Sequence, residues 1–114
     1  MNKYLNIGCG NHVSDSPEWI NVDFASNNPN VISHNLLNGI PFSANEFDLV
    51  YHSHVLEHFT KKDGIKLINE CYRVLKPNGT IRIAIPNLEE IAKLYLENLN
   101  NCWNDPNNNL LVAN

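Results

Sequence analysis

The sequence predicts an α/β chain built on one open, parallel sheet of about five strands with helices against its faces. Three observations carry that prediction. Five β-favouring runs occur in order, at Lys3–Ile7, Trp19–Phe24, Asn30–His34, Phe47–His52 and Thr80–Ile85. Two helical patterns follow the fourth and fifth runs, and the glycine turn Gly8-Cys9-Gly10 directly follows the first. Strands that alternate with helices favour a parallel sheet with covering helices, in which ligands lie beyond the carboxyl ends of the strands.

The first strand (KYLNI) runs into two glycines, which marks a strand ending in a sharp turn. Trp19–Phe24 (WINVDF) alternates with β-favouring residues, and Asn30–His34 (NVISH) is a weaker third strand. Phe47–His52 (FDLVYH) follows the polar loop Ser43–Glu46 and is expected to be central. A helix then starts at Thr60, whose hydroxyl can cap it with Asp63 three positions on, and Ile65, Ile68, Cys71, Tyr72 and Leu75 are expected on its buried face. Lys76-Pro77-Asn78-Gly79 ends that helix in a turn where proline cannot continue and glycine allows positive φ. After the fifth strand, Pro86 stops the run and Asn87 caps a second helix with Glu90 at its third position. The apolar side expected for that helix is Leu88, Ile91, Ala92, Tyr95 and Leu99.

At 114 residues, 43% of them apolar, the chain is expected to form a single domain over residues 1–114. Asparagine makes up nearly a fifth of the chain and crowds Asn98–Asn109, so about residues 101–114 are expected to be loop or tail. The apolar runs fall short of the roughly 20 residues a membrane span needs, and the start lacks a basic stretch followed by an apolar core. No membrane association and a cytoplasmic location are expected. Cys9, Cys71 and Cys102 are too few and too scattered for a disulfide framework or a cysteine zinc site. A net charge of −4 with Lys61-Lys62 as the one adjacent basic pair argues against a nucleic-acid partner.

The glycine turn alone is a weak signal, since Val13 stands where a dinucleotide fingerprint has its third glycine. Asp23 strengthens it: an acid at the end of the second strand can accept both hydroxyls of a ribose. The short connection Ser14–Glu18 holds little more than one helical turn, which explains why the acid comes early. His54-Val55-Leu56-Glu57-His58 spells an inverted zinc-protease motif, but it follows a strand instead of lying on a long helix, and no metal is expected. His54 and His58 are candidate proton acceptors because imidazole titrates near neutrality; the other reading is that Glu57 or His58 only pairs with nearby backbone.

Taken as a set, YLNIGCGN, WINVDF, NLLNGIPF, FDLVYHSHVLEHF and ECYRVLKPNGTIRIAIPNLEEIAKLYL resemble the successive motifs of small class I S-adenosylmethionine (SAM)-dependent methyltransferases. The resemblance covers about residues 3–100 and implies a Rossmann-like fold lacking the family's C-terminal hairpin. It implies that Gly8, Cys9 and Gly10 approach the methionine part of SAM and that Asp23 holds the ribose. Phe24 would pack on adenine, Asn35 and Leu36 would contact the adenine ring, and His52 and Ser53 would line the methyl-bearing side. His54, then His58, would serve catalysis. Asn6 departs from the family at large, where an acid often stands.

The resemblance implies methyl transfer to a small-molecule or sugar acceptor. The alternative is a SAM-binding or regulatory module without activity, favoured by the missing hairpin and by Asn6. An NAD-binding oxidoreductase fragment would want the absent third glycine and a full helix after the turn. The edge of the Thr80 strand is expected to be uncovered, so that a second copy of the chain or another partner lies against it, or the chain is part of a longer enzyme.

Overall fold

The computed structural model describes residues 1–104. Strands β1 (Tyr4–Ile7), β2 (Trp19–Asp23), β3 (Val31–Ser33), β4 (Phe47–Ser53) and β5 (Leu75–Ala84) form one sheet, joined by helices α1 (Lys61–Val74) and α2 (Leu88–Asn104) and by two short 3₁₀ turns. The strand order is β3-β2-β1-β4-β5 and every pairing is parallel. The expected five-stranded parallel sheet is therefore observed. The central strand is β1; β4 lies beside it, paired with β1 and β5.

Chain direction across the sheet reverses between β1 and β4, where Ile7 stands opposite His52. The loops that leave these two strands consequently emerge side by side at the switch point, the place where open α/β sheets hold ligands.

Register sorts the residues onto two faces. Leu5, Ile7, Val22 and Val50 are fully buried on the face that carries α1, with Phe47, Leu67, Cys71 and Val74 completing the core. Tyr4, Trp19 and Tyr51 line the other face, with ring centroids 5.2 Å apart for Tyr4–Trp19 and 6.4 Å for Trp19–Tyr51. Side chains of successive strand residues point to opposite faces.

Helix α1 starts as its sequence demands: the Thr60 hydroxyl accepts from the Asp63 N–H at 3.2 Å and donates to the Asp63 carboxylate at 3.1 Å. Its buried face differs from the expected one. Gly64, Leu67, Cys71 and Val74 are buried, whereas Ile65 and Tyr72 are exposed. The core stripe runs about one position before the expected one and begins at Gly64, whose missing side chain leaves room for Leu56 and Phe59. Glu70 and Arg73 on the same helix hold the loop before β4. Arg73 donates to the carbonyls of Ile40 at 2.9 Å and Phe42 at 2.8 Å, and Glu70 accepts from the Ile40 N–H at 2.8 Å.

After α1 the chain enters β5 with a register jump, Leu75 opposite Phe47 but Thr80 opposite Leu49, so the Pro77-Asn78-Gly79 segment bulges from the ladder. Asn78, at φ 66°, takes the left-handed conformation expected of the glycine. Gly79 is needed for space instead: a Cβ there would lie 2.9 Å from the Lys76 carbonyl and 3.2 Å from that of Asp48.

Helix α2 is capped as expected, with the Glu90 N–H donating to Asn87 Oδ1 at 3.2 Å. It continues through the asparagines to Asn104, further than the composition suggested; the remainder of the expected tail lies outside the described residues. None of its residues is buried, and Leu88, Ile91, Leu94, Tyr95 and Leu96 are all exposed. Its apolar side exists but packs on nothing within the described residues. The radius of gyration, 19.0 Å, compared with about 13 Å for a compact chain of about 100 residues, reflects this projecting arm. Among the described residues no helix is long and apolar enough to cross a membrane.

Candidate functional site

The glycine loop begins where β1 ends. Gly8 (φ 62°) and Gly10 (φ 53°) both adopt left-handed backbone, which turns the chain sharply over the sheet edge. Gly8 stays tied to the sheet, its N–H donating to the Val22 carbonyl at 2.7 Å. Its missing side chain is occupied by Val55, which a Cβ would strike. Gly10 is the opposite case, with nothing within 4 Å of where a Cβ would stand: its bare face looks onto open space.

Asp23 closes β2 beside this loop. Its Oδ2 accepts from the Gly10 N–H at 3.0 Å and its Oδ1 from the Phe24 N–H at 2.8 Å. A carboxylate has about four acceptor positions, so two remain for a ligand. Cys9, buried between the glycines, has its thiol pKa raised, first by burial and then by the Asp23 charge. It is a small group filling a tight turn rather than a nucleophile.

Two adjoining hollows meet at Gly8 and His54. The larger, about 560 Å³, is lined by Asn6, Gly8, Cys9, Gly10, His12, Tyr51, Ser53 and His54. The smaller, about 180 Å³, is lined by Gly8, Asp23, Phe24, Leu36, His54, Val55, His58 and Phe59. The fold thus gathers Gly8, Cys9, Gly10, Asp23, Phe24, Leu36, Ser53, His54 and His58 around one continuous cleft.

Two expected residues stand elsewhere. His52 is fully buried, with neither ring nitrogen hydrogen-bonded among the described residues, because it shares the parity of Val50 and faces the core; Tyr51 and Ser53 line the cleft in its place. Asn35 borders neither hollow. Its side-chain oxygen caps the 3₁₀ turn Leu36–Asn38 by accepting from the Leu37 N–H at 2.9 Å. Tyr51 and His12 are lining residues that sequence reasoning did not single out. The period of two along β4 could have found Tyr51; His12 carries no comparable signal.

His54 follows β4 in a left-handed conformation, φ 57°, uncommon for a side-chain-bearing residue. Its N–H donates to the Ala84 carbonyl at 2.9 Å, and its Nδ1 lies 3.4 Å from Glu57 Oε2. That contact leaves Nε2 for the cleft. His54 precedes the 3₁₀ turn Leu56–His58 and His58 ends it; the segment is not a long helix.

Glycine loop, strand-end acid and histidine loop meet at the switch point of a parallel sheet, and the chain has the class of α/β fold whose ligand sites lie beyond the carboxyl ends of the strands. The methyltransferase-domain family matches residues 11–83, more than half of the chain, starting just past the glycine pair. The chain belongs to the methyltransferase domain family.

Over 75 residues it is 32% identical to phosphoethanolamine N-methyltransferase of Plasmodium falciparum, a stretch covering 66% of this chain and 27% of that protein. Over 59 residues it is 39% identical to the ubiquinone/menaquinone biosynthesis C-methyltransferase UbiE of Blochmanniella pennsylvanica, covering 49% of this chain and 22% of the relative. The similarity therefore spans only about a quarter of each curated relative. Among solved structures, the YcgJ protein of Bacillus subtilis matches 89% of this chain and 52% of its own, with a TM-score of 0.58 and 20% identity; at that identity the likeness concerns the fold.

Proposed function

We propose that this chain binds SAM in the double hollow at the switch point and transfers its methyl group to a small-molecule or sugar acceptor. The observation that carries the reading is the Gly10–Asp23 contact. It joins a bare glycine backbone on the larger hollow to a carboxylate with spare acceptor positions on the smaller, which suits a ligand joining an amino-acid part to a ribose. The open space above Gly10 is a cradle that any Cβ would partly fill, and the residues present fit the group.

When bound, SAM supplies a methyl group already activated on a sulfonium. The chain's own part is to bind, orient and manage a proton. Gly8, Cys9 and Gly10 would wall the methionine part, Asp23 would accept from the ribose hydroxyls, and Phe24 with Leu36 would enclose the adenine. Ser53 and Tyr51 would border the transfer site. Glu57 engages Nδ1 of His54, so Nε2 is the atom that would take a proton from a hydroxyl or amine acceptor; His58 stands beside it on the smaller hollow. The names of the curated relatives, one acting on phosphoethanolamine and one in quinone biosynthesis, favour a small acceptor. The net charge of −4 disfavours a polyanionic one.

The reading also includes a partner and a compartment. β5 ends the sheet among the described residues, and Ile81, Ile83 and Ile85 are exposed, as is the apolar side of α2. A second copy covering that edge would remove a template for indiscriminate strand pairing. Three free cysteines suit a reducing cytoplasm.

Calorimetric titration with SAM, beside an Asp23→Ala variant, tests the core of this reading. Binding that falls about tenfold or more in the variant supports it. Absence of binding to the unaltered chain overturns it, and binding without methyl release to any acceptor leaves the regulatory module.

A further inference from the structure

Residues 8–18, which join β1 to β2, contain no helix. The backbone N–H and C=O groups of residues 12–14 therefore have no helical partners, yet the loop lies on the sheet where they are partly withdrawn from water, and groups so placed need partners. Two side chains from the strands beneath supply them. Asn21 on β2 meets Ser14 with both ends of its amide: Oδ1 accepts from the Ser14 N–H at 3.2 Å and Nδ2 donates to the Ser14 carbonyl at 2.9 Å. Asn6 on β1, directly opposite Asn21 in register, donates through Nδ2 to the His12 carbonyl at 2.9 Å and to Asn21 Oδ1 at 3.1 Å.

The two amides are 6% and 3% exposed, and backbone groups fix their orientations. The His12 carbonyl can accept only from the NH₂ end of Asn6, and the Ser14 N–H can donate only to the oxygen of Asn21. With both ends of Asn21 and the NH₂ end of Asn6 committed, the pair and the loop form one connected hydrogen-bond network.

We propose that the Asn6–Asn21 pair is the positioning element of the glycine loop, doing with two side chains what a helix after the turn would otherwise do. It holds residues 12–14 down on the sheet and so keeps the Gly8–Gly10 backbone against the larger hollow, with the Gly10 N–H in reach of Asp23. This rests on the reading of that hollow as the SAM site. Neither asparagine has to touch the ligand; the pair acts through the loop. The chemistry requires a donor at position 6 and both a donor and an acceptor at position 21. A carboxylate at position 6 would face two oxygens with no hydrogen to offer, so Asn6→Asp weakens the loop even though it adds a negative charge beside a cationic ligand.

The test combines backbone hydrogen exchange without SAM and calorimetric SAM affinity, on the full chain and its Asn6→Asp, Asn21→Asp and Asn21→Leu variants, with the double variant Asn6→Leu/Asn21→Leu beside Asn6→Leu. In the unaltered chain the Ser14 N–H is expected to exchange about tenfold or more slowly than a free amide, the scale of one net hydrogen bond. Asn21→Leu removes that protection, and Asn21→Asp weakens it, because the acceptor remains while the Ser14 carbonyl faces a carboxylate oxygen in place of a donor. SAM affinity is expected to fall about tenfold or more in Asn6→Asp and in Asn21→Leu. The double variant is expected to lose no more than the worse single one, as for residues acting as a unit. Free exchange at Ser14 in the unaltered chain overturns the proposal, even where a variant does not fold. So does unchanged affinity in both Asn6→Asp and Asn21→Leu, and so does lost affinity in Asn21→Leu with Ser14 still protected, which would assign direct ligand contact. If the unaltered chain binds no SAM, the functional reading fails while the exchange measurements still decide the loop's support.

Discussion

The Gly10 N–H donates a 3.0 Å hydrogen bond to Oδ2 of Asp23 while the Phe24 N–H occupies Oδ1 at 2.8 Å, so the strand-end acid is built into the loop it serves. Asp23→Asn tests whether charge or geometry matters. An amide has one acceptor end for two backbone donors, so one N–H is left facing an NH₂ group. We expect Asp23→Asn to lower SAM affinity about tenfold or more, nearly as far as Asp23→Ala, and to speed exchange of the Gly10 amide. Calorimetry and hydrogen exchange on the same samples check both.

The two loop glycines should fail differently. Gly8→Ala adds a Cβ that strikes Val55 on top of left-handed strain at φ 62°, so it should destabilise the fold by well over the roughly 1–2 kcal/mol of strain alone. Gly10→Ala carries a similar strain but meets nothing within 4 Å. It should cost only about 1–2 kcal/mol of stability while intruding on the open space above the loop and reducing SAM affinity. Urea unfolding and calorimetry separate the two effects.

Supports remote from the cleft should change stability without changing binding. Arg73→Ala removes charged hydrogen bonds to the Ile40 and Phe42 carbonyls and should cost about 2 kcal/mol. Thr60→Ala removes the cap of α1 and should cost about 1 kcal/mol. Both are measured by urea unfolding, with SAM affinity expected to stay within about twofold of the unaltered chain.

His52 gives stability a dependence on pH. Burial holds its pKa below the ordinary value, the Glu57 charge opposing in part, so the folded chain keeps the ring neutral where the unfolded chain protonates it. The unfolded state then binds more protons between the depressed folded pKa and the ordinary value near 6.5. Stability is full above about pH 6.5 and declines as pH falls toward the folded pKa. His52→Leu should flatten that decline and be neutral or stabilising at pH 7.5, because neither ring nitrogen has a partner to lose. Urea midpoints at pH 7.5 and 5.5 for both chains check the sign.

What the sequence revealed was local. The glycine turn, the acid ending β2 and the caps at Thr60 and Asn87 each depend on residues a few positions apart, and each stands where expected. The buried face of α1, Gly64, Leu67, Cys71 and Val74, differs from the stripe that apolar spacing picks out, since it is set by packing on the sheet and includes a glycine with no hydrophobicity to count. His52 was legible by parity, since it lies two residues beyond Val50 and points the same way. The Asn6–Asn21 support was not legible: it joins residues 15 apart in sequence through a strand register that only the folded sheet creates. The helical run to Asn104 shows that asparagine's deficit, some tenths of a kcal/mol per residue, does not end a helix already begun.

The placement of the three cysteines turns the chain into its own recorder of motion. Cys102 is half-buried on the projecting helix, Cys9 is 4% exposed inside the glycine loop, and Cys71 is fully buried, its thiol pushed up to about 12 chiefly by burial. Alkylation requires an accessible thiolate. The Cys102 thiol is therefore reached on the arm as it stands, Cys9 only as the loop lifts, and Cys71 only as the sheet and α1 part. One reagent and a mass spectrum over time then time-stamp the arm, the loop and the core separately, without any label being added to the protein.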